Sequence, residues 1–302
     1  MHTRNRGMII AFLAPALLFF SLIFLYPIFR TALMSFYNVE NITSGMDAWT
    51  FVNFDNYAKL ADTSLFRISM WNLVRIWGVG GLVVMTLALL FAVILNSGIR
   101  GKKFYRAVIY LPNIISAVAL ATMWLQFVYN PRFGLLTGVF NALGMKGMAA
   151  TQWTAAGNKF WALTYAYCFG MVGYHMLIFS SGIEKIPHDY YEAASIDGAN
   201  ILGQFTHITL PLLKGVIKTN ITMWSITSVS FFTWSQLFST VVSDVDTITP
   251  MVYLYNQVFS GGNVVTERNA GVGAAVGILL GLCVVAVFIV INLLIRDDEL
   301  EF

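Results

Sequence analysis

The chain has 302 residues, of which 58% are apolar and only 11% charged, where soluble domains carry about 25% charged residues. Mean hydropathy is +0.71 and the formal net charge is +3. These values exclude a disordered chain, a disulfide scaffold and an ordinary soluble enzyme. The charge is too weakly basic to argue for nucleic acid, and what remains is an all-helical, multi-span membrane protein packed as one domain over residues 1–302.

A helix needs about 20 apolar residues to cross a bilayer. The basic start, with Arg4 and Arg6, leads into the apolar run Met8–Phe29. That run is too long for a signal-peptide core and has no small-residue cleavage site after it, so it reads as a first span. Five more spans are predicted at Trp71–Leu95, Tyr105–Val128, Phe160–Ser181, Val216–Val242 and Ala270–Ile295. The short loop Ser97–Arg106 carries Arg100, Lys102, Lys103 and Arg106 and no acid. With Arg4 and Arg6 it places the N-terminus and this loop in the cytoplasm, and six spans return the C-terminus, Arg296 onward, to the same side. Trp71, Trp153 and Trp161 fall near the outer ends, as an aromatic belt would place them. Cys168 and Cys283 lie in apolar stretches and read as small buried hydrophobes, with no metal or disulfide spacing. Arg75, near the outer end of the second span, reads as a snorkelling side chain, and His175 as a structural histidine.

The cytoplasmic loop Gly182–Gly215 is long for a simple connection and carries two helical signals. Pro187 suits a first helical position, and Asp189 and Glu192 sit in the first turns, where acids favour the helix dipole. Gly198 stops that helix with a left-handed backbone, and Asn200 caps a second one. Ile201, Phe205 and Ile208 recur at helical spacing before Pro211 breaks the helix. His188 and His207 read as surface histidines.

None of the six predicted spans contains Asp or Glu. Proton pumps and ion-coupled carriers keep ionisable groups at membrane depth, so this counts against them and removes intramembrane aspartyl chemistry. There is no HExxH or G-x-S-x-G motif and no G-x-x-x-x-G-K-[ST] phosphate loop, so catalytic residues are none and ATP is not bound in that way. A transporter of this kind draws energy from a partner, and the structured loop is a docking point. Two readings from other classes stay open: an ion-coupled secondary sugar carrier, and a membrane-embedded enzyme acting on lipid-linked sugar.

Glu192-Ala193-Ala194-Ser195-Ile196-Asp197-Gly198-Ala199, followed by Phe205, Ile208, Leu210 and Pro211, resembles the "EAA" signature of permease subunits in binding-protein-dependent ABC importers. Three further stretches resemble the oligosaccharide-uptake branch, the relatives of the larger maltose permease subunit. They are Phe51–Tyr57, Asn130–Leu136, and Met176–Phe179 leading to Ile186 and Pro187. The likeness extends to alginate-oligosaccharide importers. Two departures are Gly215, where a proline is expected, and the absence of G-G-G-P in the fifth loop.

The resemblance implies a type I importer fold with six transmembrane helices in the inner membrane of a bacterium. It implies a second, different permease subunit, two ATP-binding subunits that hold ATP and magnesium, an extracytoplasmic solute-binding protein, and no cofactor on this chain. It makes residues 184–215 the coupling loop, with Glu192, Ala193, Ala194, Asp197, Gly198, Ala199, Phe205 and Pro211 meeting the ATPase. Apolar Ala193, Ala194 and Ile196 would fill its groove, and Glu192 and Asp197 would pair at the rim. A sugar pathway needs aromatic faces with few polar groups. Trp224, Thr227, Ser228 and Phe231 share one face of the fifth span, and Tyr167, Met171 and Tyr174 one face of the fourth. In the resembling family these two spans supply the substrate contacts.

Overall fold

In lipid a helix satisfies its own backbone hydrogen bonds, and the apolar runs fold as helices. The computed structural model describes residues 6–40, 42–259 and 268–295. Helices α1 (Arg6–Phe20) and α2 (Tyr26–Met34) are continuous through a π-turn at Ser21–Leu25. A small antiparallel ribbon follows, β1 (Tyr37–Asn38) and β2 (Thr50–Phe51), with Tyr37 opposite Phe51, and then α3 (Asp55–Asp62). Helices α4 (Ser64–Arg75) and α5 (Gly81–Asn96) are joined through a second π-turn, Ile76–Gly80. Next come α6 (Lys102–Ile114), α7 (Ala117–Met123), the short α8 (Leu135–Ala142) and α9 (Lys146–Ala149), and the long α10 (Lys159–Ile183). Helices α11 (His188–Ile196), α12 (Ile201–Gln204) and α13 (Leu210–Leu212) form the predicted loop. The chain ends with α14 (Lys214–Val229), α15 (Thr233–Phe238), α16 (Pro250–Phe259) and α17 (Ala270–Leu294).

Among the described residues, four continuous helices are long and apolar enough to cross a membrane: Met8–Met34, Ser64–Asn96, Lys159–Ile183 and Ala270–Leu294. They match four of the six expected spans, with the first running five residues further and the second starting seven residues earlier. The other two are broken. The third bends by 98° between Ile114 and Ala117. Ile115 is extended there, and the Ser116 hydroxyl accepts from the Ala119 amide, so a new helix is capped where the old one ends. The fifth is split between Val229 and Thr233 into α14 and α15. At that break the Thr249 hydroxyl donates to the Phe231 carbonyl at 2.6 Å, satisfying a backbone group that the helix no longer serves. The loop expected over Ser97–Arg106 ends early, because α6 begins at Lys102 behind left-handed Gly101. Arg4, the segment from Arg296 on and residues 260–267 of the fifth loop lie outside the described residues.

The described residues divide into two compact units. The first holds the residues up to Arg67 with Tyr253–Leu282. Its centre is Asn269, whose side-chain oxygen accepts from the amides of Gly271, Val272 and Val39, capping α17 and fixing the ribbon beside it. Asn56 donates to the carbonyls of Ser35 and Tyr37, both at 2.9 Å.

The second unit, Ile68–Val252 with the residues from Cys283 on, carries the main core. Helix α10 lies at its middle, against α5, α6, α7, α14 and α15. Of its most apolar window 67% is buried, against 0% for Met8–Met34. Cys168 is buried in this core as expected, whereas Cys283 is partly exposed. Trp71 and Trp161 are exposed, but Trp153 stacks on Phe140 with ring centroids 6.1 Å apart and so packs against its own chain. Arg75 places its guanidinium 3.9 Å from the Phe160 ring centroid and donates to Asn72, which in turn donates to the carbonyls of Val245 and Ile248. Lys159 pairs with Asp244 at 2.6 Å, both side chains almost fully buried. Burial pushes the Asp244 carboxyl upward, but the Lys159 ammonium and the amides of Thr240 and Asp246 outweigh it and hold the group below its ordinary value.

Glycine sets the distance between α10 and α6. A Cβ on Gly173 would stand 2.3 Å from the Ile109 carbonyl oxygen and 2.6 Å from the Tyr110 Cα, both backbone atoms that cannot step aside. Gly173→Ala is therefore expected to lower stability by about 1–3 kcal/mol. Gly281→Ala, with nothing within 4 Å of its Cβ, should be neutral. Thermal unfolding of the detergent-solubilised protein measures both, and equal shifts would refute the close-packing account.

Candidate functional site

The loop between α10 and α14 is a closed helical hairpin. Pro187 is the N-cap of α11, one position earlier than expected, so that His188 opens the helix. The helix ends as predicted: Gly198 has φ +81°, and the Ala199 amide donates back to the Ala194 carbonyl at 2.8 Å. Nothing lies within 4 Å of a Cβ built on Gly198, so the requirement there is one of backbone conformation and not of space. Asn200 caps the second helix as predicted, its side-chain oxygen accepting from the Gly203 amide at 2.8 Å.

Pro211 does not break that helix. The path continues from Ile201 through a π-turn at Phe205–Thr209, and the change of hydrogen-bond register there directly precedes Pro211, which lacks an N–H. The turn falls at Leu213, and Gly215 lies inside α14.

Side chains close the hairpin. Tyr191 and Thr209 share a hydrogen bond at 2.9 Å. Gln204 donates to the Ser195 hydroxyl at 2.9 Å, and that hydroxyl donates to the Tyr191 carbonyl. Between the two helices lies a notch of about 350 Å³ lined by Ala194, Gly198, Ala199, Asn200, Gly203 and His207. The apolar tip is bare, with Ile196 exposed at 87%, Ile201 at 78% and Leu202 at 69%. Glu192, Ala193, Asp197, Gly198 and Pro211 are exposed, and Ala194, Ala199 and Phe205 half-buried. The structure thus gathers all eight predicted coupling residues on one hairpin, with Pro211 set apart near its end.

The base of the hairpin holds residues that the sequence reading missed. Glu184, just past α10, accepts from Lys102 at 2.8 Å and from Arg106 at 2.6 Å on one carboxylate oxygen. Lys102 also donates to Asn96 at 2.6 Å, and Asn96 to Ser180 at 3.0 Å. The end of α5 and the start of α6 are thereby pinned to the root of the hairpin. A cavity of about 540 Å³ opens beside them, bounded by Asn96, Lys102, Glu184, His188, Tyr191 and Phe205. An acid placed directly at the end of the fourth span, facing an acid-free basic loop, was the available signal.

The predicted pathway residues do come together, on α10, α14 and the break after α14. Four of them face inward. Tyr167, Trp224, Ser228 and Phe231 are buried, and Tyr167 meets Phe231 edge-on at 4.7 Å and Trp224 at 5.6 Å. Met171, Tyr174 and Thr227 are partly exposed. His175 bonds Asn220 at 2.7 Å, joining α10 to α14 in the interior, which is the structural role expected of it. Among the described residues, no three His, Cys, Asp or Glu side chains gather as a metal site.

Comparison with known proteins decides the family. A profile described as "binding-protein-dependent transport system inner membrane component" matches residues 84–297. The chain belongs to that family. It is an inner-membrane permease component of a binding-protein-dependent transport system. A diacetylchitobiose uptake permease of Streptomyces coelicolor is 29% identical, over 97% of this chain and 84% of the relative. A sulfoquinovosyl glycerol transport permease of Agrobacterium fabrum is 29% identical over 94% of this chain and 90% of the relative. An arabinooligosaccharide transport permease of Bacillus subtilis is 28% identical over 92% and 85%. In fold, the permease matches a chain of a bacterial ABC transporter for alginate import with TM-score 0.80 at 19% identity, covering 98% of this chain and 97% of that one.

The hairpin's base yields a pH dependence. Hydrogen bonds from Lys102 and then Arg106 hold the Glu184 carboxyl below the usual range. A lowered folded-state pKa means that the tie is fully present above the ordinary glutamate value of about 4.3 and is lost as pH falls through the folded value. Each pair is part-exposed and contributes about 1 kcal/mol or less. In hydrogen exchange of residues 184–196, protection factors are expected to hold steady from neutral pH to about pH 5 and fall below about pH 4. Glu184→Gln should start several-fold lower and stay flat. A wild-type fall already at pH 6, or an unchanged variant, would refute the tie.

Proposed function

We propose that this permease forms half of the membrane pathway of an ATP-driven importer of oligosaccharides or related glycosides, and that residues 184–215 couple it to partner ATPases. The observation that carries the reading is the hairpin: closed by its own side chains, apolar at its tip, in a chain without a phosphate loop. Relatives named for chitobiose, arabinooligosaccharide and sulfoquinovosyl glycerol transport over nearly the whole chain support a sugar cargo. The partners in this reading are a second, different permease, two ATP-binding subunits carrying ATP and magnesium, and an extracytoplasmic solute-binding protein. The chain itself has no catalytic residue and no cofactor.

In this mechanism ATP closes the ATPase pair and the two permeases switch between inward and outward access. ATP biases that switch only through its different affinity for the two states. The exposed Ile196, Ile201 and Leu202 enter the ATPase groove, with Glu192 and Asp197 at its rim. Met171, Tyr174 and Thr227 meet the sugar, and the buried Tyr167, Trp224, Ser228 and Phe231 make the wall behind them.

The test is uptake of radiolabelled arabino-, chito- and alginate oligosaccharides by vesicles holding the full complex. ATP-dependent uptake that survives an ionophore is expected, and uptake abolished by the ionophore would favour an ion-coupled carrier. Gly198→Val forces a β-branched residue into a left-handed conformation, straining the turn by about 1 kcal/mol or more. The variant should assemble with its partner permease yet lose binding-protein-stimulated ATP hydrolysis, and normal stimulation would make the hairpin a mere connector.

In the proposed topology both termini and the basic Ser97–Arg106 segment are cytoplasmic. A periplasm-active reporter fused after Phe302 is expected to be silent, and one inserted near Gly45 active. The reverse pattern would overturn the orientation and the docking with it.

A further inference from the structure

Helix α14 leaves the hairpin directly, beginning at Lys214 just past the turn at Leu213. Ten residues on, about 15 Å along the helix, Trp224 is 1% exposed and reaches the π-turn Ile76–Gly80. Its indole N–H donates to the Trp77 carbonyl at 2.8 Å. The Trp77 indole N–H donates back to the Ser225 hydroxyl at 2.9 Å, and that hydroxyl donates to the Ile221 carbonyl. Each tryptophan thus donates its indole N–H to the other's helix, Trp224 to the Trp77 carbonyl and Trp77 to Ser225.

The seat for Trp224 is made of glycine. A Cβ on Gly81 would stand 2.6 Å from the Trp224 Nε1, and one on Gly80 would stand 3.1 Å from its Cζ2. Both glycines adjoin the stretch where the helical ladder changes from α to π register, a feature often found at functional sites. The Gly81 amide itself donates to the carbonyls of Gly78 and Trp77, so the Trp77 carbonyl serves the register change and the Trp224 indole together.

We propose that Trp77 and Trp224 form a reciprocal indole brace that transmits displacement of the hairpin along α14 to the π-turn of α4–α5, so that both are positioning residues of the transport cycle. This rests on the import reading above. The brace acts at membrane depth, far from the hairpin base, where Asn96, Lys102 and Glu184 already hold α5. The base contacts join α5 to the end of α10, and the brace joins the same helical path to α14, so α4–α5 is tied to both roots of the hairpin. His175 and Asn220 tie α14 to α10 one turn nearer the hairpin, so α14 is held to each neighbour by a separate polar contact.

The experiment uses the reconstituted complex with its partner permease, ATPases and binding protein. It measures uptake of the radiolabelled arabino-, chito- and alginate oligosaccharides per ATP hydrolysed. Trp224→Phe and Trp77→Phe keep an aromatic ring and remove the N–H. Each is expected to lower uptake per ATP by about two- to tenfold, the range for one neutral hydrogen bond, with complex recovery unchanged. The double variant should be no worse than the worse single one. Ser225→Thr, which keeps the hydroxyl, should retain the wild-type ratio while Ser225→Ala loses it. Gly81→Ala should act like Trp224→Phe by displacing the indole. If the variants lower complex recovery, uptake and hydrolysis in equal proportion, the contact is only structural and the brace is refuted. An unchanged uptake-to-ATP ratio in Trp224→Phe, with normal wild-type uptake, refutes the brace alone. Absence of ATP-driven uptake by the wild type would overturn the import reading and the brace with it.

Discussion

The larger unit depends on how closely α10 lets its neighbours approach. Gly173 brings the backbone of α6 to within contact of its own, and Gly182 meets the side chains of Val216 and Leu213. At membrane depth lipid tails are as apolar as leucine, so helices gain from association through tight packing and hydrogen bonds more than from burial of apolar surface. Small residues supply the first. Asn96 to Ser180 and His175 to Asn220 supply the second. Helix α10 is therefore largely buried, and it presents His175 and Ser180 as polar side chains to its neighbours.

The hairpin inherits its rigidity from this arrangement. Its two roots are α10 and α14, which already touch in the interior, and its own helices are locked by the Tyr191–Thr209 and Ser195–Gln204 contacts. The exposed apolar tip residues belong to a short, closed element with little freedom to collapse onto itself. In the proposed mechanism, a partner that grips the tip moves both roots, and with them the half-exposed Met171, Tyr174 and Thr227.

What could be read in the sequence is what is decided locally. Gly198 and Asn200 act within four residues of themselves, and the structure gives them the left-handed turn and the cap expected. The four continuous spans follow from apolar run length alone. The two broken spans do not, because their breaks depend on distant or competing partners. Thr249 serves the Phe231 carbonyl from 18 residues away, and Ser116 caps a new helix within one unbroken apolar run. Glu184 meets Lys102 and Arg106 across 82 and 78 residues, a pairing that no local pattern encodes. Helical periodicity placed Tyr167, Trp224 and Phe231 on shared faces but could not say what covers those faces. The cover is largely one another.

Helix α14 also bears on how the protein is made. Its 16 residues rise about 24 Å, less than the roughly 30 Å of a bilayer's hydrocarbon. It carries Lys214, Lys218 and Asn220 within that length. Such a segment partitions poorly into lipid by itself, so during synthesis it needs a helix already in place to receive it. Helix α10, emerging first and bearing His175, is that helix, and the short closed hairpin keeps the two within reach while the chain is still being extended. The His175–Asn220 contact then serves the insertion of α14 as well as the finished bundle.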